Sequence, residues 1–275
     1  MADYEIKDNV CVFNEGVKSI EKNEFHSSSI VDVKLPSTLE AIGSYAFRQS
    51  SLHTVTIPGN VKKIGDEAFS LCENLKSVTI EEGVKTIGKL VFYKSAAIQT
   101  ITLPSTLTKI GNSAFASCKA LTKISLPAKL KTIGEYAFEA CPLQMIEFDK
   151  DCKLTEIGLY AFSLTDIETL ELPPSLKKIS CTAFDNCKKL KSVTIHEGIE
   201  RFGDGGYDQF RMFENCVALE SINIPASLTD LGYKPFMGCT ALKNITVDPA
   251  NPAYVMKDGK LMTKDLQTQI FPIAD

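Results

Sequence analysis

One phrase recurs along this chain at a nearly fixed interval, and it limits the possible folds more than any other feature. An isoleucine-glycine step falls at Ile42-Gly43, Ile64-Gly65, Ile87-Gly88, Ile110-Gly111, Ile133-Gly134 and Ile157-Gly158. It then degrades to Ile179-Ser180, Phe202-Gly203 and Leu231-Gly232. Successive glycine-position spacings are 22, 23, 23, 23, 24, 22, 23 and 29 residues. A phenylalanine follows four residues after nearly every step: Phe47, Phe69, Phe92, Phe115, Phe138, Phe162, Phe184 and Phe236. After Gly203 the matching residue, Phe213, lies ten residues on, and the six extra residues account for the interval of 29. A weaker opening copy ends at Phe25, which makes ten units. Self-similarity at such a period is the signature of units that cannot bury their apolar faces alone and must stack.

Each unit carries a second block, such as "LKSVTI" (75–80), "LTKISLP" (121–127) and "LESINIP" (219–225). Its apolar and polar residues alternate, and Val, Ile and Thr dominate, as in a half-buried strand. The composite phrase has the spacing of a leucine-rich repeat. The expected fold is therefore a right-handed, gently curved leucine-rich-repeat solenoid with one parallel sheet, mostly β, with short or 3₁₀ turns instead of full helices. Coils stacked at roughly 4.8 Å would extend on the order of 45–50 Å. Inward strand residues are expected to include Val55 and Ile57, Val78 and Ile80, Ile101 and Leu103, Ile124 and Leu126, and Val193 and Ile195. Proline after many strands (Pro36, Pro58, Pro104, Pro127, Pro173, Pro225) removes a donor and ends the ladder there. The glycine is expected to serve a tight turn or a left-handed backbone, and the phenylalanines to stack along one interior wall.

A solenoid needs caps. The whole chain, 1–275, is expected to be one domain: an N-terminal capping coil (1–25), the repeats (26–247) and a C-terminal hairpin cap (248–275). Residues 1–14 read as an irregular first coil with Cys11 and Phe13 inward. Asp258-Gly259 between "YVMK" and "KLMT" reads as a two-residue β-hairpin turn.

The repeat phrase resembles the BspA-like (Treponema-type) leucine-rich repeats of bacterial surface proteins and some protozoan ones. The resemblance covers roughly residues 8–247, and the tail "NPAYVMKDGKLMTKDLQTQIFP" is similar to a hairpin segment of these proteins. Membership implies extracellular attachment or host-protein binding and brings no catalytic residues with it.

The bulk properties agree with a binding module. A formal net charge of −4 is unlike the basic stripe that nucleic acid requires. No apolar run approaches a membrane span of roughly 18 residues, so no membrane insertion is expected. The first ten residues, "MADYEIKDNV", are not basic and no apolar stretch follows, so no signal peptide is expected within this sequence. The location expected is the cell surface or outside the cell, with the cytoplasm as the alternative.

Nine cysteines make the chain cysteine-rich. Cys72, Cys118, Cys141, Cys187, Cys216 and Cys239 lie three residues after the repeat phenylalanine, in a slot that holds Ser28, Ser50, Ser95 and Thr165 in other units. A slot shared by Cys, Ser and Thr wants a small, weakly polar residue at a buried turn, so reduced structural thiols are expected there. Cys152 and Cys181 are off this column and are expected to be the exposed, reactive ones. His26, His53 and His196 occupy different repeat positions, and no nucleophile-histidine arrangement can be built from them. Glu147 and Glu171 share an outward strand slot in successive coils; the spacing suits glycosidase chemistry, but a solvated strand face explains it as well. No enzyme activity, cofactor or metal is expected.

The outward strand face is mostly Thr and Ser. Lys123, Ser125, Met145, Glu147, Thr169 and Glu171 are the candidate ligand contacts, because this stretch breaks its uniformity. The insertion "DGGYDQFR" (204–211) supplies a second candidate, with Tyr207, Phe210 and Arg211 as contact-prone types and Asp204 and Asp208 faintly suggesting calcium. Asn244-Ile245-Thr246 is a glycosylation sequon expected within a strand. The function expected is non-catalytic binding of a protein or glycan, such as a host extracellular protein, across the strand face. A structural spacer in a larger surface protein and an intracellular interaction scaffold are the alternatives.

Overall fold

The structure is a computed structural model that describes residues 3–203 and 211–272. Alternation of apolar and polar residues places one strand of each coil on a common face. An opening hairpin, β1 (Tyr4–Lys7) and β2 (Val10–Phe13), precedes β3 (Asp32–Lys34), β4 (Thr54–Ile57), β5 (Ser77–Ile80) and β6 (Thr100–Thr102). The face continues through β7 (Lys123–Leu126), β8 (Met145–Phe148), β9 (Thr169–Glu171), β10 (Ser192–Thr194), β11 (Ser221–Ile224) and β12 (Asn244–Val247). A terminal cap follows: β13 (Tyr254–Lys257), β14 (Lys260–Thr263) and β15 (Gln269–Pro272). The face strands pair in parallel, coil upon coil, and no helix occurs among the described residues. Two-residue strands ending at the isoleucine of each Ile-Gly step form a second ladder, unbroken from Thr86–Ile87 to Lys178–Ile179. The fold is thus the expected leucine-rich-repeat solenoid of about ten coils.

A third ladder runs beside the phenylalanines. The N–H groups of Tyr45, Phe47 and Gln49 donate to the carbonyls of Asp66, Ala68 and Ser70 in the next coil at 2.8–3.0 Å. To aim these groups, the residues two before and two after the phenylalanine adopt left-handed φ: Tyr45 (61°) and Gln49 (58°), Tyr136 (57°) and Ala140 (55°), and so on up the stack. Such φ values are uncommon for residues with a Cβ, and here the hydrogen bonds between coils hold them. Inside this ladder the rings from Phe25 to Phe236 form one column, with successive centroids 5.1–6.2 Å apart and planes within 16°. Edge-on rings close it at both ends, Phe13 at 76° to Phe25 and Phe271 at 78° to Phe236.

At the degraded steps Gly203 and Gly232 take the expected left-handed φ (83° and 70°), but at the six intact Ile-Gly steps the glycine is needed for another reason. Gly43, Gly65, Gly88, Gly111, Gly134 and Gly158 do not have positive φ. Instead the preceding coil leaves no space: a Cβ on Gly65 would lie 2.3 Å from the Ser44 nitrogen, and one on Gly111 2.6 Å from the Gly88 oxygen. The slot three residues after each phenylalanine is also explained. In seven of the coils its side chain donates to the phenylalanine carbonyl of the coil below, as Cys72 to Phe47 at 3.0 Å, Ser95 to Phe69 at 2.8 Å and Cys141 to Phe115 at 3.0 Å, whereas Thr165 donates to Phe162 of its own coil. No disulfide forms among the described residues, and burial pushes the Cys72 thiol up to about 11. Cys152, expected to be exposed, is 93% buried, since it is only 7% accessible, and burial raises its thiol as well. It sits in a turn where its N–H donates to the Asp149 carbonyl at 2.9 Å. Cys181 is half-buried.

Both caps are sheets. The opening segment is an antiparallel hairpin turning at Asp8-Asn9 (φ 50° and 61°) rather than an irregular coil, with Cys11 and Phe13 inward as expected. The C-terminal hairpin turns at Asp258-Gly259 and gains a third antiparallel strand, β15. Asn251, 1% exposed, fastens this cap. Its amide donates to the Pro225 and Leu228 carbonyls and accepts from the Ala253 and Tyr254 N–H groups, all at 2.7–2.9 Å. Elsewhere glutamates clasp successive turns: Glu15 receives the Ser37 N–H and hydroxyl, Glu82 those of Ser105, and Glu197 the N–H groups of Ala226 and Ser227. These hydrogen bonds hold all three carboxyls below their ordinary value.

The face ladder is interrupted between β3 and β4, between β6 and β7 and between β8 and β9. Proline contributes to these interruptions but does not by itself set them, since Pro36, Pro104 and Pro225 hold the same slot in coils that stay paired to the coil before. In three coils the residue three after the first inward strand residue donates back to the preceding coil: Glu81 to Ile57, Asp149 to Leu126 and Asp248 to Ile224, at 2.9–3.0 Å. Those three coils pair over four residues. At the interruptions this residue is Pro58, Pro127 or Pro173, which has no N–H. The inward residues of the strand before each interruption, Leu35, Ile101, Leu103, Ile146 and Phe148, are consequently half-buried, where full burial was expected of Ile101 and Leu103.

The step from β8 to β9 opens furthest. At the other two interruptions several Cα atoms of facing strands still lie within 8 Å; here they scarcely do. The connector from the phenylalanine to the inward strand residue is eight residues in both coils (Phe138 to Ile146, Phe162 to Leu170), one short of the nine in most others. Pro173 is followed by Pro174. The second ladder and the ring column cross the same step intact, with Glu156–Ile157 paired to Lys178–Ile179 and Phe138 5.3 Å from Phe162. The two coils therefore fan apart on the strand face alone.

Three outcomes follow from this packing. Gly111→Ala, which must displace the coil below, lowers stability by about 1–3 kcal/mol in denaturant unfolding. By hydrogen exchange, the Glu171 amide, which faces the open step, exchanges on the order of tenfold or more faster than the Thr194 amide, its counterpart one coil on in a paired strand. The clasping glutamates have depressed folded-state pKa values, so their contribution is present above the ordinary glutamate range and disappears as pH falls through the depressed values. Thermal melts of Glu82→Gln should accordingly vary less with pH than those of the parent chain in this acid range.

Candidate functional site

Register brings the strand-face candidates into two groups on either side of the open step. In β7 and β8, Lys123 lies opposite Met145 and Ser125 opposite Glu147. Lys123 Nζ reaches Glu147 Oε1 at 2.6 Å, and the Ser125 hydroxyl donates to the other carboxylate oxygen at 2.7 Å. The bonds from Lys123 and Ser125 hold the Glu147 carboxyl below its ordinary value. Met145 is left 49% exposed at the edge of β8. In β9, Thr169 is exposed and Glu171 lies 3.2 Å from His196 Nε2 of the next coil. Glu147 and Glu171 are not ladder neighbours, because the sheet is interrupted between them. Each carboxylate has its own partner, and the pair does not form an acid-base couple in this arrangement.

Between the two groups lies a hollow of about 420 Å³. Met145, Ile146 and Phe148 form one wall, and Leu172, Pro173 and Pro174 another. Asp149, Lys150 and Glu171 supply its charge, and the His196 imidazole lies among them. Phe148, Asp149 and His196 are absent from the candidates read in the sequence, since their convergence depends on how far the coils separate. The shortened connectors and the double proline are the signals that point to it. A second hollow of about 430 Å³ lies beyond His196, toward Asn223 and Pro225. There the Asn223 side chain takes the place of ladder bonds, accepting from the Ile195 N–H and donating to the Ile195 carbonyl, both at 2.7 Å.

The insertion contributes less that can be described. Asp204, Tyr207, Asp208 and Phe210 lie outside the described residues. Arg211 turns back onto its own coil, with Nη1 2.6 Å from Glu214 and the guanidinium 5.8 Å from the Tyr233 ring centroid. Among the described residues no group of three or more His, Cys, Asp or Glu side chains is placed to hold a metal ion. No described helix is long and apolar enough to cross a membrane.

The family model for the BspA type leucine rich repeat region matches residues 5–122, 85–211 and 209–254. Comparison with curated proteins returns no match. Among solved structures, a leucine-rich repeat protein from Bacteroides ovatus is 25% identical with a TM-score of 0.63, covering 86% of this chain and 54% of its own. The pneumococcal vaccine antigen PcpA is 22% identical with a TM-score of 0.51, covering 89% of this chain and 63% of its own. This chain thus spans about half to two thirds of those relatives. Repeats of this type are in general non-enzymatic protein-binding modules, typically of surface or secreted bacterial proteins. The match spans most of the sequence, and the chain belongs to the BspA-type leucine-rich-repeat family.

Proposed function

We propose that this chain is a non-catalytic adhesion module that binds a protein ligand at the bacterial cell surface, with its contacts centred on the open step of the strand face. The observation that carries this reading is the coincidence of three features at one step. Met145 is exposed, the charged side chains of Lys123, Glu147 and Glu171 and the His196 imidazole lie around it, and a hollow separates the strands. Exposed apolar side chains rimmed by polar ones mark interaction sites. A rigid stack presents them with little ordering cost on binding. Lys123, Ser125, Met145, Glu147, Thr169 and Glu171 are the proposed contacts; Asp204, Tyr207, Asp208, Phe210 and Arg211 of the insertion are secondary candidates. A glycan ligand would use the same polar groups, but the apolar wall of Met145, Ile146 and Phe148 favours a protein.

The test compares the parent chain with a variant carrying Lys123→Ala, Met145→Ser, Glu147→Ala and Glu171→Ala. Surface changes of this kind typically alter stability by no more than about 0.5 kcal/mol each, so thermal melts of the two should nearly coincide. Affinity capture from extracellular protein mixtures should then retain specific partners on the parent chain and lose them on the variant. Identical capture by both proteins would rule out this face and favour the spacer or the insertion.

A further inference from the structure

Building on the strand-face reading above, we infer that the open step between β8 and β9 receives an extended, basic peptide segment of the partner as an added β-strand. In an uninterrupted ladder the N–H groups of Thr169 and Glu171 would point to β8, and the carbonyls of Gln144 and Ile146 would accept them. This follows from the next coil, whose register pairs Glu171 with Thr194 and Leu170 with Val193. No ladder bond joins β8 to β9. The step thus presents two facing edges, each with main-chain groups in strand geometry. Exposed edges of this kind are templates for strand addition, with main-chain bonds giving affinity and alternate side-chain pockets giving specificity.

The dimensions suit an inserted strand. Neighbouring strands lie about 4.8 Å apart, so a guest between two hosts needs them separated by roughly 9–10 Å. Facing Cα atoms of β8 and β9 lie mostly beyond 8 Å, whereas those of β7 and β8 are in full ladder contact. The opening is held from behind: the ring column and the second ladder continue through the same coils, so a guest can enter without unstacking them. The walls suit alternating side chains. Ile146 and Phe148 are half-buried at positions that are core elsewhere, so apolar guest residues can complete the interior.

Charge indicates which peptide. The carboxylates of Asp149 and Glu171 border the opening, and the Glu171 side chain is 75% exposed. Lys123 is engaged by Glu147 on the far side of β8, which leaves Lys150 as the lysine of the hollow, with His196 against Glu171. Outward guest residues should therefore be Lys or Arg, alternating with inward apolar ones.

Selection of displayed random peptides against the intact chain tests this. Enriched sequences should alternate apolar residues with Lys or Arg. The best peptide should protect the Glu171 amide from exchange and lose about tenfold or more in affinity when alternate backbone nitrogens are methylated. Glu171→Lys, an exposed change that leaves the core untouched, should weaken it similarly. If the methylated peptides in both alternating registers bind as tightly as the parent while Glu171→Lys still weakens binding, strand addition is wrong but the face still binds. If no enriched peptide responds to Glu171→Lys or protects the Glu171 amide, both strand addition and the strand-face reading fall.

Discussion

Every coil of this chain rests on the one below through a column of phenylalanine rings, and most other features of the structure accommodate that contact. Rings about 5 Å apart with nearly parallel planes require the coils to approach at one ladder spacing. At that distance a Cβ beside the Ile-Gly step collides with the backbone beneath it, which explains the glycine. The residues flanking each ring take left-handed φ so that their N–H groups meet the next coil. In seven of the coils the thiol or hydroxyl three residues on then donates to the phenylalanine carbonyl below. Burying one such ring is worth several kcal/mol, since Phe→Ala in a core costs about 3–5 kcal/mol. That is enough to hold strained backbone around it in coil after coil.

The strand face is where this regularity is relaxed. Its ladder is longest where an N–H just past the strand donates back, and proline removes that bond without disturbing the rings. The same chain therefore combines a stiff spine with a face whose coupling varies from coil to coil. The binding reading and the inferred strand addition both use this contrast: the spine keeps the open step from collapsing or spreading, and the face offers main-chain groups to a partner.

Much of the architecture was legible in the sequence because the repeat reports one environment ten times. The inward strand residues, the ring column, the reduced thiol slot and the Asp258-Gly259 hairpin all follow from period and residue type. A close approach and a left-handed turn both select glycine, so sequence alone does not separate the six intact steps, which need the first, from Gly203 and Gly232, which take the second. Cys152 was misplaced because the longer turn after β8 folds its side chain inward, an effect of loop length that its position off the column does not reveal. The third strand of the cap carries no two-residue turn signal; β14 and β15 are joined through a turn held by Thr263, Asp265 and Thr268. The region of the candidate site was visible as a break in a threonine-rich face. The hollow beneath it was not, because it arises from connector lengths and prolines acting together across two coils, and His196 joins it only through the register of a third.

The uneven ladders also have a mechanical meaning. A chain of this kind, pulled along its axis, carries load across each step through hydrogen-bonded rails. Most steps have three: the strand face, the Ile-Gly bridges and the backbone beside the rings. The step between β8 and β9 has lost the first of these, so tension there falls on the two remaining rails and on the contact between Phe138 and Phe162. A strand bound in the opening would restore the missing rail, so occupancy of that step and resistance to force would rise together.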